Sequence, residues 1–220
     1  MTEALTRFPL LDGLPMRVRQ ALASQGTVQQ FRKGQTVFEE GQLVEAVWLV
    51  RRGCVYLIKR TGNREPITVF LMTPEESLCG ISALGYRTYS VGAMAATAAE
   101  LIRIPRDLFL QLVETYPKFA SAVLLSSCTR LRHMADSIAM ARASVEQRVA
   151  YVLLRLRSSF GDTIPITHHE LARMAGTRWE TSIRTIAAMK QRRWVASRRG
   201  TITVLRPRQL QTLTACSPRS

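Results

Sequence analysis

Acidic side chains are scarce in this chain of 220 residues: 16 Asp and Glu stand against 31 Lys and Arg, a formal net charge of +15. An excess of that size repels itself in the compact state, so it points to a polyanionic partner, either nucleic acid or an anionic membrane surface. Long apolar runs are missing. No segment approaches a membrane span, and the opening MTEALTRFPLL has no basic stretch followed by a sustained apolar one. Neither a spanning helix nor a secretory leader is predicted, and the expectation is a cytoplasmic protein without a membrane partner. Cysteine is sparse: Cys54, Cys79, Cys128 and Cys216 lie far apart with no CxxC pair. Neither a zinc knuckle nor a disulfide framework is predicted, and no metal site. No cysteine or serine sits in a nucleophile motif with a base and an orienting acid, so the chain does not read as an enzyme.

What is present is unevenly spread. Residues 143–220 carry 14 Lys and Arg against 4 acids, and residues 1–142 carry 17 against 12. The C-terminal third is the part suited to a polyanion. Between residues 28 and 104 the pattern is of short β-branched or aromatic runs (VQQF, TVFEE, AVWLV, CVYLIKR, PITVFLM) separated by turn residues. Such runs are too short for helices and predict a compact antiparallel roll or barrel. Gly34, Gly41, Gly53 and Gly62 stand where tight turns need a positive φ.

After Pro105 apolar residues recur every three or four positions, at Leu108, Leu112 and Val113, then Phe119, Val123, Leu124, Leu131, Met134, Ile138 and Ala141. The spacing predicts a short helix, then a long one entered at Pro117 and running to about residue 140, because proline suits a first helical turn and breaks an interior. Val123, Leu131, Met134 and Ile138 fall near one face. That stripe either packs within its own chain or seats a second copy. The divisions predicted are a sensor domain over 1–105, a dimerisation helix and hinge over 106–142, and a DNA-binding domain over 143–220.

Residues 143–220 hold the most informative stretch. VEQRVAYVLLRL reads as an amphipathic helix and SSFGDTIP, residues 158–165, as a loop. Thr167 and Glu170 then have capping-box spacing and start a helix with Leu171, Met174 and Ala175 on its apolar face. Gly176 breaks it, and Arg178 begins a second helix with Ile183, Ile186, Ala187 and Met189 expected inward. Arg178, Trp179, Glu180, Thr181 and Arg184 are then the outward positions near its start, where a recognition helix meets base edges. Glu180 and Arg184, four apart, could equally form a surface ion pair. Beyond them, residues 194–197 and 201–205 read as two strands around the basic turn Arg198-Arg199-Gly200. Thr167, Lys190, Arg192, Arg193, Arg198 and Arg199 are the candidate phosphate contacts, against a plain reading as solvated charge.

In order and spacing, LLDGLP, KGQTVFEEG, VWLVRRGCVYLIKR, the Pro117 helix entry and ITHHELARMAGTRWETSIRTIAAMKQRRWV resemble the CRP/FNR family of bacterial regulators over roughly residues 8 to 206. The resemblance implies an α+β protein: an N-terminal cyclic-nucleotide-binding-type antiparallel β-roll, a long dimerisation helix and a C-terminal winged helix-turn-helix. It also implies a homodimer that acts on near-palindromic double-stranded DNA beside RNA polymerase. In the cyclic-AMP receptor branch an Arg-Glu-Thr segment and an arginine one turn on read bases. The matching residues are Trp179, Glu180, Thr181 and Arg184; Trp179 departs and cannot make a bidentate guanine contact, so contact with a thymine methyl or sugar, or packing on the wing, is expected instead.

The sensing pocket departs further. That branch places Gly-Glu before a short loop and Arg-Ser after it. The matching positions are Cys79-Gly80 or Gly80-Ile81, and Tyr89-Ser90, while its long-helix Thr-Ser pair falls on Met134-Ala135. A buried phosphate without its arginine is an unpaired charge in a low-dielectric site, and Arg87, two residues away, would need a rebuilt loop. No cyclic-AMP response and no cofactor are therefore predicted. The family's iron-sulfur branch has several cysteines clustered mostly near the N-terminus; none precedes Cys54 here, so the resemblance implies no such cluster. Haem or redox sensing is the alternative: Cys79 falls near the thiolate position of the carbon-monoxide-sensing branch, but that branch's histidine corresponds to Ile81, and Cys54, Cys79 and Cys128 would be the thiols for a redox role against a plain structural reading. The candidate effector pocket comprises Leu78, Cys79, Gly80, Ile81, Arg87, Tyr89, Ser90, Met94 and Met134, for an apolar ligand or none. The remaining competitor is a regulatory module that acts through protein contacts.

Overall fold

The computed structural model describes residues 8–60, 62, 67–78, 80–140 and 142–214. The chain divides into two compact units, residues 1–132 and 133–220. The first opens with a 3₁₀ turn, Pro9–Gly13, and a helix α1, Met16–Gln25. The sequence pattern predicts neither. MRVRQALASQ has too few apolar residues to show a face, and Leu22 is its one fully buried anchor among the described side chains.

Among the described residues eight strands follow: β1 Thr27–Phe31, β2 Thr36–Phe38, β3 Ala46–Arg52, β4 Val55–Lys59, β5 Ile67–Met72, β6 Ser77–Leu78, β7 Gly92–Ala95 and β8 Ala99–Pro105. They form two antiparallel four-stranded sheets, ordered β1-β8-β3-β6 and β2-β7-β4-β5. The roll expected from the short runs is thus present. Its turn glycines hold the predicted left-handed backbone, with φ of 83° at Gly34, 83° at Gly41, 74° at Gly53 and 57° at Gly62. β3 is the central element, paired with β8 from Ala46↔Pro105 to Arg52↔Glu100. Ala46 to Val50 are all buried, as a strand must be when both of its faces are covered.

A short helix α2, Gly80–Gly85, lies between β6 and β7. After β8 come α3, Arg106–Thr115, and α4, Pro117–Met140. Pro117 opens the long helix as its chemistry requires. α3 packs against β3 and β8. Phe109 and Phe119, both 0% exposed, meet edge to face at 5.6 Å and fix α3 against the start of α4. That geometry suits the ring quadrupoles.

The second unit holds α5, Val145–Phe160, β9 Thr163–Ile164, α6 His168–Met174, α7 Trp179–Gln191, β10 Val195–Arg198, β11 Thr201–Val204 and α8 Pro207–Thr214. A capping box starts α5: the Ser144 hydroxyl accepts from the Gln147 amide at 3.3 Å, and the Gln147 side chain accepts from the Ser144 amide at 2.9 Å. Two pieces correct the sequence reading. Residues 158–165 are not all loop, since α5 continues to Phe160 and Thr163-Ile164 adds a third strand to the β10-β11 hairpin. Two residues cannot display strand alternation; the strand exists because Ile164 pairs with Ile202. The second piece is α8, on which the sequence reading is silent; it packs on α5, and its Leu210 is wholly buried. No helix among the described residues is long and apolar enough to cross a membrane.

Candidate nucleic-acid interface

The reading elements are set by caps and by a small buried core. The Thr167 hydroxyl accepts from the Glu170 amide at 3.2 Å, and the Glu170 carboxylate accepts from the Thr167 amide at 2.8 Å and hydroxyl at 2.7 Å. The capping box read from the sequence is formed, and it occupies the Thr167 hydroxyl. α6 ends at Gly176, whose φ of 56° lets the Thr177 amide return to the Ala172 carbonyl at 3.0 Å. This is a Schellman-type stop, and glycine enters it without strain. The Arg148 guanidinium donates to the Gly176 carbonyl from α5 at 3.2 Å and braces the turn.

α7 buries two of the four residues expected inward, Ile186 and Met189, and leaves the other two outside. Ser182, Ile186 and Met189, at 0%, 2% and 0% exposure, are the buried positions, whereas Ile183 is 37% exposed and Ala187 is exposed. The correction is one of helical phase. Met189 and Ile186 fix the buried line, and the position one heptad before Met189 is Ser182, a polar residue that a search for apolar periodicity passes over. Its hydroxyl donates to the His168 carbonyl at 3.3 Å, which joins α7 to α6. His168 Nε2 in turn meets the Ser197 hydroxyl of β10 at 2.9 Å, tying the hairpin to the same helix start.

The outward side holds the predicted base-reading set. Arg178 is the exposed N-cap of α7; Trp179, Glu180 and Arg184 are exposed, and Thr181 is half-buried. No ion pair joins Glu180 to Arg184 among the described residues. The hairpin carries exposed Arg198 and Arg199 beside Gly200, with Arg198 opposite Thr201. Lys190 and Arg193 are also exposed. Arg192 is partly committed: it pairs with Glu146 of α5 at 2.5 Å and lies over the Trp194 ring at 4.9 Å. The 46-residue separation of that pair hides it from the sequence.

Arg193, just past the Arg192 cap of α7, has φ of 58°, while the Trp194 amide returns to the Met189 carbonyl at 2.9 Å. A cation here occupies a position that favours glycine. Arg193→Gly is expected to stabilise the second unit by about 1 kcal/mol through relief of left-handed strain. The same change should lower DNA affinity at low salt, and urea denaturation beside a salt-titrated binding isotherm measures both effects.

The predicted effector residues are dispersed in burial. Leu78 and Gly80 are buried, Met94 is half-buried, and Ile81, Arg87 and Ser90 are exposed. Cys79 lies outside the described residues, as does Cys216; Cys54 is buried and Cys128 exposed. Met134 belongs to the second unit and is 40% exposed. Tyr89 is 3% exposed, stacks on Phe38 at 3.9 Å and donates its hydroxyl to the Ala46 carbonyl at 2.8 Å. Nearby, Lys59 donates to Glu40 at 2.5 Å and to the Ser90 carbonyl at 2.8 Å. The Lys59 hydrogen bond, joined by the Arg60 amide, holds the Glu40 carboxyl below the usual range. Thr36, Phe38, Glu40, Ile58, Arg60 and Gly92 line a small open cavity of about 30 Å³.

Of the expected dimer contacts, Val123 is 4% exposed and sits in the first unit's own core. Leu131 and Ile138 are open at 68% and 71%. Leu124 and Leu125, at 66% and 67%, share that exposure. Among the described residues no group of three or more His, Cys, Asp and Glu is placed to hold a metal.

Residues 28–116 match the family model of the cyclic nucleotide-binding domain, and residues 147–213 that of the Crp-like helix-turn-helix domain. The chain is 33% identical over 201 residues to the cyclic AMP receptor protein of Thermus thermophilus, covering 89% of this chain and 92% of that one. It is 27% identical to the global nitrogen regulator of Synechococcus elongatus, over 82% of this chain and 86% of the other. Among solved structures it superposes on the catabolite activator protein of Thermus thermophilus with a TM-score of 0.51 at 30% identity, covering 94% and 98% of the two chains. FixK2 of Bradyrhizobium japonicum shares the fold at a TM-score of 0.79 with 17% identity, covering 87% and 98%. A sheet roll followed by a long helix and a capped helix-turn-helix with a basic hairpin, matched along both parts by these relatives, makes the chain a member of the CRP/FNR family of DNA-binding transcription regulators.

Proposed function

We propose that the protein acts in the cytoplasm as a homodimer that reads an inverted-repeat promoter site, works beside RNA polymerase, and does so without cyclic AMP. The observation that carries the DNA reading is the α6-α7 pair, which leaves Trp179, Glu180 and Arg184 exposed together on a helix whose opposite line is buried. Arg184 would take guanine in bidentate fashion and Glu180 a cytosine amino group; the wing arginines would neutralise phosphates and set affinity without selecting sequence. Exposed Leu124, Leu131 and Ile138 recur at heptad spacing, the pattern that favours a second copy of the helix. Recognition helices in a two-fold pair meet successive major grooves about 34 Å apart.

Independence from cyclic AMP is supported by Tyr89. It stands at the position matched to the family's phosphate-binding arginine, and both of its ends are already satisfied, by Phe38 and by the Ala46 carbonyl. The test is selection of the purified protein on a randomised duplex library at near-physiological salt, with and without cyclic AMP. An inverted repeat recovered equally in both arms is the expected result. Recovery only with the nucleotide overturns the independence, and no selected sequence overturns the reading as a whole.

A further inference from the structure

α7 presents more than a polar reading edge. Trp179 is 50% exposed and Ile183 37% exposed, with exposed Ala187 one turn further on. At i, i+4 and i+8 these three make a line along the helix, beside the line of Glu180 and Arg184. A single exposed apolar side chain means little. Two large ones on the face of a recognition helix remain in water unless DNA covers them.

The major groove offers one apolar feature, the C5-methyl group of thymine. We infer that Trp179 and Ile183 form a methyl-reading pair, so that each half-site carries thymines whose C5-methyl groups these side chains cover. The inference rests on the DNA-reading proposal above and adds the chemistry that selects among bases. Four residues of helix advance about 6 Å, close to two base-pair steps of about 3.4 Å. The two methyls would therefore stand one or two base pairs apart. Ile183 is suited to the task because a β-branched side chain on a helix holds one χ1 rotamer and loses little freedom on contact. Arg184, next in sequence, would read the neighbouring pair in polar fashion.

Deoxyuridine in place of thymidine removes the methyl and leaves the pairing edge unchanged, so it isolates the contact. In an operator recovered from the library, substitution at one contacted thymine should weaken wild-type binding about fourfold, the value of one buried methyl-sized group. Substitution in both half-sites should weaken it about sixteenfold, since well-separated positions add. In Ile183→Ala the penalty should vanish at one thymine and persist at the other, and Trp179→Ala should show the reverse. Affinity for unrelated duplex should hold in both variants, which confirms that they fold. Wild-type binding within twofold at every substituted half-site thymine overturns the inference while leaving the selected operator, and hence the DNA-reading proposal, intact. Failure to select any operator removes both.

Discussion

Replacing Gly53 by alanine is expected to cost the N-terminal unit about 3 kcal/mol, from left-handed strain together with overpacking. Gly53 joins β3 to β4 with φ of 74°, and a Cβ there would lie 2.2 Å from the Ala98 carbonyl oxygen, 2.8 Å from the Ala99 Cα and 2.8 Å from the Thr97 hydroxyl. Two of those three neighbours are backbone and cannot rotate aside. The turn is also clamped from its other side, because the Cys54 amide donates to the Thr97 hydroxyl at 3.0 Å and the Cys54 carbonyl accepts from the Ala96 amide at 2.8 Å. Relief would require β8 to shift away from β3, its longest partner. Gly34→Ala is the matched control, with φ of 83° and nothing within 4 Å of the added carbon. It should cost only the strain, about 1 kcal/mol. Urea denaturation followed by the fluorescence of buried Trp48 compares them. Equal destabilisation in the two variants would mean that the close approach at Gly53 contributes nothing.

The second large effect is expected at the recognition helix. Arg184→Ala should erase about 1–3 kcal/mol of base discrimination in each half-site and leave the salt dependence of binding unchanged. Arg199→Ala at the hairpin tip should do the opposite: affinity falls by a similar factor on specific and random duplexes, and the slope of log K against log salt drops by about 0.9 for each phosphate that is no longer neutralised. Fluorescence anisotropy on both duplexes across a salt series separates the outcomes. A uniform fall in affinity for Arg184→Ala would reduce that residue to a phosphate-neutralising role.

The two predictions differ in how much of each could be foreseen. Gly53 was legible as a turn residue, since only glycine enters that backbone freely, but the carbonyl packed against it comes from 45 residues away. Arg184 was legible as outward from helix spacing and is exposed. Apolar spacing puts Ile183, its neighbour, inward, and the structure places it outside. Val123 shows the converse: its spacing joined it to the exposed stripe of α4, yet it fills the core beside Phe109 and Gly80. Arg192 read as an available cation and is held by Glu146.

Signals carried within a few residues of one another were thus settled by the sequence: the glycine turns, the Thr167-Glu170 cap, the proline that opens α4, the alternation of strands and helices, and the charge gathered toward the C-terminus. Each depends on local backbone preference or on periodicity, which tertiary contacts did not override. Tertiary structure alone decided which side chains of an amphipathic helix are covered, which two-residue segment becomes a strand, and that Tyr89 is bound to Phe38 and the Ala46 carbonyl. Those outcomes depend on groups brought together from distant parts of the chain, where burial and hydrogen bonding outweigh the spacing of residues along it.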